Sequence, residues 1–396
     1  MPQKTLSSFK DVHEALCNPN LRQSLYDAGA VIMKDVLLTL HGEEHKVRRH
    51  LQLRLFRRRY THFYEANIFP PTVASILDPM VAEREADLVD FGYRVTMNLA
   101  ADFAGIDRPD KTVEETNRLL KIVRTFSEGA TLVHSDRKAS EVIAEVKAAQ
   151  NQFKEFIEPS RIMRKKLIDR FMDGKISEKD LPRDVLTILL KNQDDLDLTD
   201  ELIEREVSFY LQAGSHSTAN SMVHAVNEIF SWSNNPKDLL ARPLLLQNCV
   251  HESMRLHPAS PVAWRTPIEK TTIASQEFTP DDLLILDLQA ANRDPDVFGN
   301  KPNEYNPHRV VLNSKTKLYG LTFGAGVHMC TGKDLDGGVA NHLNTDETKH
   351  QYGIVCSLVR TLLERNVTPH ISNPPTIDLN TSRNTWATFP IQFNEN

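Results

Sequence analysis

The stretch Phe323-Gly324-Ala325-Gly326-Val327-His328-Met329-Cys330-Thr331-Gly332 places two glycines and an alanine ahead of one cysteine, with a third glycine just behind it. Such a segment can turn tightly, lie close against a flat partner and leave amide N–H groups pointing at the sulfur. A lone cysteine is more often a buried structural residue, but the ten-residue pattern around Cys330 argues for a sulfur held for use. Cys17, Cys249 and Cys356 are far from it and from one another and form no CxxC pair. Neither a disulfide framework nor a structural zinc site is expected.

A thiolate presented from such a loop is a strong-donor axial ligand for haem iron and favours O–O cleavage more than a histidine ligand does. Upstream, Glu252-Ser253-Met254-Arg255 sets a carboxylate and a guanidinium at i and i+3 on one helical face. Alone this is a common surface pair. Here it is followed by Leu256-His257-Pro258, by Ala291-Asn292-Arg293-Asp294-Pro295 and by Tyr305-Asn306-Pro307-His308-Arg309, an ordered series hard to obtain by chance.

Further upstream, Thr199 is a good N-cap, Asp200 and Glu201 suit the positive end of a helix dipole, and no proline intervenes before Pro236. That allows a helix of about 33 residues, roughly 50 Å long, enough to cross a domain. Near its middle, Ala213-Gly214-Ser215-His216-Ser217-Thr218 puts a glycine where it costs about 1 kcal/mol relative to alanine, which points to a close approach to the backbone. A helix crossing through small residues is the alternative.

Helical periods dominate the first 260 residues: a short helix from Phe9 to Leu16, a longer and very basic one from Gly42 to Tyr60, then Thr112 to Glu128, Lys138 to Lys166, Pro182 to Lys191 and Leu244 to His257. Extended runs, Thr271 to Ile273 and Leu283 to Leu288, come mainly afterwards. The expected fold is mainly α with a small β part. It forms a single domain over residues 1–396, helix-rich in 1–260 and mixed in 261–396. With 396 residues, 40% apolar and 25% charged, the chain can bury a cofactor and has the composition of a soluble protein. No stretch approaches the roughly 20 apolar residues of a membrane span, and MPQKTLSSFKDVHEAL lacks a signal-peptide core, so no membrane association and a cytoplasmic location are expected. The net charge of −6 argues against nucleic acid as a partner.

These motifs, densest from Thr199 to Leu335, resemble those of the cytochrome P450 family, and the likeness extends over nearly the whole chain. The resemblance implies a single-domain cytochrome P450 fold with a long central helix over haem b, iron protoporphyrin IX. Cys330 is then the axial ligand of the haem iron, with Phe323, Gly324 and Gly332 against the haem. Glu252, Arg255 and Arg309 match the family's structural ion-pair network. His45 and Arg49 match its HxxxR contact to the haem propionates, and Arg265 and His328 match two further propionate partners. Gly214 makes room for dioxygen, and His216, Ser217 and Thr218 fall on the family's acid and paired alcohols. His216 departs from the usual acid and Ser217 from the usual threonine; the histidine is expected to carry protons or to bind a polar substrate group.

The implied activity is that of a haem-thiolate monooxygenase inserting one atom of O2 into a small or medium-sized organic substrate, by hydroxylation or oxidative O-demethylation. Electrons would come from a separate ferredoxin and ferredoxin reductase, docking on the basic strip Lys46, Arg48, Arg54, Arg57, Arg58 and Arg59. Pocket walls are expected from Val31 to Asp35, Leu211 to Ser217, Ala259 to Trp264 and Asn384 to Trp386. Two further departures from the family are a shortened N-terminus and a polar, solvated inserted loop at 336–351, whose His342 and His350 are not read as metal ligands. A peroxide-using or non-oxygenating haem-thiolate enzyme, which needs no ferredoxin, and a haem-based sensor, which oxidises nothing, remain alternatives.

Overall fold

In chain order, the longer helices of the computed structural model are α1 (Phe9–Cys17), α2 (Gly42–Gln52), α3 (Phe69–Glu83), α4 (Leu88–Ala104), α5 (Val113–Ala130), α6 (Ala139–Met172), α7 (Asp200–Trp232), α8 (Pro243–Leu256) and α9 (Ile354–Glu364). The structure describes residues 2–313, 315–341 and 345–395. Helix α7 has the expected bounds, and Thr199 caps it by accepting from the Leu202 amide at 3.1 Å. From Glu206 to Val226 it is buried on nearly every side, which makes it the axle of the molecule.

Helix α4 crosses α7 at very short range. A Cβ on Gly92 would come within 2.7 Å of Met222 Cε, and one on Gly214 within 3.3 Å of Ala100 Cβ. The glycine in the middle of α7 therefore serves a helix crossing as well as a cavity wall. The sequence reading singled out neither α3 nor α4.

The basic helix expected from Gly42 to Tyr60 is broken. Helix α2 ends at Gln52, a tight turn covers Leu53–Phe56, and Arg57 is extended (φ −64°, ψ 137°) before a short helix at Arg58–Phe63. The break lets Leu55 enter the core and Phe56 pack on Phe103, ring centroids 4.8 Å apart, and leaves Arg57, Arg58 and Arg59 exposed. Burial of two neighbouring apolar side chains outweighs continuation of a helix with three adjacent like charges.

The main sheet contains β1 (Gln3–Leu6), β2 (Leu21–Gln23), β3 (Val262–Pro267) and β4 (Leu283–Asp287), in the spatial order β1-β4-β3-β2. Strand β1 is parallel to β4, whereas β2 and β4 are antiparallel to β3. In this register Gln23 stands opposite Arg265. The segment ahead of α2 thus holds two short strands, β1 and β2, with α1 between them.

The 336–351 segment is less solvated than expected. Gly337, Gly338 and Gln351 are buried, and among the described residues of the segment those exposed are 346–349. The amide of Gln247 reaches the carbonyls of Val339 and Tyr352, both at 3.1 Å, so polar main chain is satisfied inside the fold. His350 Nε2 lies 2.9 Å from Gln247 Oε1, and His342 lies outside the described residues. No helix among the described residues is long and apolar enough to cross a membrane.

Candidate active site

A cavity of about 350 Å³ lies between α7 and the Cys330 loop. The loop is closed by the Cys330 amide donating to Phe323 O at 2.8 Å, while Gly324 and Gly326 take positive φ values of 68° and 67°. At Gly326 a Cβ would fall 2.5 Å from Leu16 O, so only glycine lets α1 close against the loop. The accessible face of Cys330 opens onto the cavity. Burial pushes its thiol up to about 11, and Asp336 adds to the rise while the Gly332 N–H, Arg49 and Lys333 oppose it. A thiolate here needs a positive partner on its open side.

Around the same cavity stand, besides Arg383, four basic side chains without a carboxylate partner among the described residues: His45, Arg49, Arg265 and His328. His45 Nε2 and both ring nitrogens of His328 are buried and have no hydrogen-bond partner. The two rings lie 4.4 Å apart, and burial pushes His45 down to about 4 and His328 to about 3. Arg265 donates to Gln23 Oε1 at 2.6 Å and is pushed down to about 10 by burial. Arg49 donates to Met329 O. Buried cations and orphaned nitrogens on this scale call for an anionic ligand. A flat iron-bearing macrocycle with two carboxylates would fit this donor set, its carboxylates held by these four residues and its metal by the Cys330 sulfur.

Behind the loop, Glu252 is fully buried and grips two arginines. Arg255 Nε and Nη2 donate to its two oxygens at 2.8 and 2.7 Å, and Arg309 Nε donates to Oε1 at 2.8 Å. Arg255 Nη1 reaches Asn292 O and Pro302 O, both at 2.7 Å. The carboxylate thereby ties α8 to the two segments that follow it.

On α7, the Ser217 hydroxyl donates to Ala213 O at 2.7 Å, and Thr96 Oγ1 of α4 donates to Ser215 O at 2.9 Å. Thr218 Oγ1 donates to Asp336 Oδ1 at 2.6 Å, a contact between positions 118 residues apart. Burial pushes Asp336 up to about 6. In the sequence Asp336 stands at the edge of the segment expected to be a solvated loop, and no local signal marks it.

His216 Nδ1 lies 2.6 Å from Tyr93 Oη, and Nε2 lies 2.7 Å from Arg383 Nη1. Burial pushes His216 down to about 3, so the ring is neutral at physiological pH. An arginine can only donate, so Nε2 accepts and the ring proton sits on Nδ1, donating to Tyr93.

Of the expected wall segments, Leu211 to Ser217 and Ala259 to Trp264 contribute residues. Val31 to Asp35 does not, because Ile32 and Met33 are core residues, and Leu37 and Leu38 line the cavity instead. Asn384 to Trp386 does not either. Trp386 packs edge-on against Phe389 and faces an adjoining recess, leaving Arg383 at the wall. In the basic strip Lys46, Arg54, Arg57, Arg58 and Arg59 are exposed, but Arg48 is buried against Glu206 Oε2 at 2.5 Å and cannot belong to a docking face. It sits on the inward side of α2, one turn from His45.

The family profile described as Cytochrome P450 matches residues 233–335. Among curated proteins, pulcherriminic acid synthase of Bacillus subtilis (strain 168) is 23% identical over 83% of this chain and 77% of its own length. Cyclooctat-9-en-7-ol 5-monooxygenase of Streptomyces melanosporofaciens is 23% identical over 82% and 74%. Among solved structures, CalO2 superposes with a TM-score of 0.74 at 19% identity, covering 98% of this chain and 90% of that one. P450BioI, solved with an acyl carrier protein ligated to hexadec-9Z-enoic acid, gives 0.74 at 18%, covering 98% and 92%. In sequence around the Cys330 loop and in fold, the chain is similar to cytochrome P450 proteins, and its relatives at this distance include a named monooxygenase.

Proposed function

We propose that this protein binds haem b through Cys330, with His45, Arg49, Arg265 and His328 receiving the propionates, and inserts one atom of O2 into an organic substrate. The observation that carries this reading is the convergence of a cavity-facing thiol and four donors without carboxylate partners on one interior space. When bound, the haem supplies the site at which dioxygen is reduced and an oxygen atom becomes available for transfer. The chain's own part is to shape the space and move protons. Leu99, Ala100, Phe103 and Phe209 give it apolar walls that exclude water. Hydroxylation of a carbon held there, or O-demethylation where that carbon bears an ether oxygen, both follow from this arrangement. Equimolar haem in the purified protein, with substrate-dependent consumption of dioxygen, tests the reading. Turnover with peroxide alone and none with electrons would contradict it.

The electron source in this proposal is an acidic ferredoxin with its reductase, docking on Arg54, Arg57, Arg58 and Arg59, which flank Phe56 beside Gly332 of the Cys330 loop. Like charges gathered on one exposed turn are screened over about 8–10 Å near physiological ionic strength. Arg57→Glu with Arg58→Glu is expected to slow reduction by about tenfold at low salt, with the difference shrinking as salt rises and substrate affinity unchanged. Stopped-flow reduction checks this, and equal rates remove the site. All four cysteines are free, in keeping with action in a reducing compartment such as the cytoplasm.

Ser217 is the alcohol assigned to proton delivery. Its hydroxyl donates to a helix carbonyl, which leaves its oxygen lone pairs facing the cavity as acceptors for an incoming proton carrier. Ser217→Ala is expected to keep haem and substrate affinity while product per electron falls by about 100-fold and hydrogen peroxide accumulates, the scale for loss of a positioned proton carrier. If Thr218→Val has that effect and Ser217→Ala does not, delivery runs through Thr218 and Asp336.

A further inference from the structure

Arg383, like Arg265, is buried at the cavity wall, 8% exposed, and has no carboxylate partner among the described residues, but it also lines the adjoining recess. Its Nη1 is pinned by His216 Nε2 at 2.7 Å. Its Nε is buried with no hydrogen-bond partner, and Nη2 has none among the described residues. The unpartnered part of the guanidinium is thus its Nε–Nη2 edge, whose two parallel N–H donors match a planar carboxylate.

No carboxylate among the described residues contacts this edge. Arg124 lies over the Tyr93 ring at 4.3 Å, and Tyr93 in turn takes the His216 proton. His134 has an unpartnered Nε2 and is pushed down to about 4 by burial, so it is neutral at physiological pH. Asp378 lines the adjoining recess, where its Oδ1 accepts from the amide and side chain of Asn380, and Glu128 pairs with Arg137; neither forms an ion pair with Arg383. A buried guanidinium retained without its anion is expensive unless a ligand provides one. His216 sets the angle of that guanidinium, and its neutral state leaves the positive charge undivided.

We propose that the substrate carries a carboxylate, received side-on by Arg383, with an apolar body extending between Phe103 and Phe209 toward the Cys330 side of the cavity. His216 and Tyr93 act as positioning residues for this contact. The proposal rests on the monooxygenase reading above. It narrows the substrate to apolar acids and makes an ester or amide of the same body a poor ligand.

The test uses purified holoenzyme with dodecanoate and naphthylacetate, each beside its methyl ester, and follows the shift of the main haem band on titration. Each acid is expected to bind about tenfold or more tightly than its ester, the scale of a charge-assisted hydrogen bond. Arg383→Leu should bring acid and ester to equal affinity at unchanged haem content, and Arg383→Lys should restore part of the preference. Equal binding of acid and ester by the wild type, or failure of either acid to bind, overturns the proposal. Loss of haem in Arg383→Leu also overturns it, since the arginine would then serve the cofactor. A wild-type spectrum without thiolate character is a different result and strikes the monooxygenase reading instead.

Discussion

Cys330→Ser is expected to lower substrate turnover by at least about 100-fold, roughly 2.7 kcal/mol of barrier, while the protein still folds and still takes up haem. The loop does not depend on sulfur for its shape. It is closed by the Cys330 amide on Phe323 O and by the positive-φ turns at Gly324 and Gly326, all of which serine preserves. His45, Arg49, Arg265 and His328, proposed to receive the propionates, are equally untouched. What disappears is the electron-rich donor that makes O–O cleavage favourable. Steady-state oxygen consumption and product analysis at matched haem content check this. Turnover within a factor of two or so of wild type would mean that Cys330 is not the donor.

Glu252→Ala is expected to cost about 3–5 kcal/mol of stability, the range for removing one member of a buried ion pair. That is a large part of the roughly 5–15 kcal/mol available to a folded domain. The cost arises because Arg255, fully buried, loses both side-chain acceptors at once, and Arg309 loses its carboxylate. Glu252→Met with Arg255→Met should be milder than the single change, because it removes the charge left unpaired along with its partner. Urea unfolding of the purified variants measures the difference. A single variant within about 1 kcal/mol of wild type would show that the network does not hold α8 to the segments beneath the loop.

Features that depend on local chemistry were legible in the sequence. The cap at Thr199, the acidic first turn and the absence of proline fix α7 almost to the residue. The ordered series from Glu252 to Arg309 and the Cys330 loop carry the family because the spacing itself is the signal. Features that depend on remote partners were not legible. Strands β1 and β2 are four and three residues long, too short for alternation to register, and they form because β4 and β3 some 240 or more positions away receive them. The break at Arg57 answers to the packing of Phe56 on Phe103 rather than to any breaker residue. Asp336 and Arg383 read as polar loop residues until the fold sets them against Thr218 and His216, the second pair 167 positions apart. The basic strip was legible as charge, but the inward turn of Arg48 toward Glu206 was not.

The central claim is a thiolate-ligated haem in the cavity beneath α7, and the optical spectrum of the reduced, carbon monoxide-bound wild-type protein tests it most directly. Thiolate ligation by Cys330 predicts a main haem band strongly shifted to the red of that given by histidine-ligated haem proteins, and its complete loss in Cys330→Ser. A stoichiometric haem complex whose carbon monoxide band sits at the histidine-ligated position, unchanged by that substitution, would contradict the account.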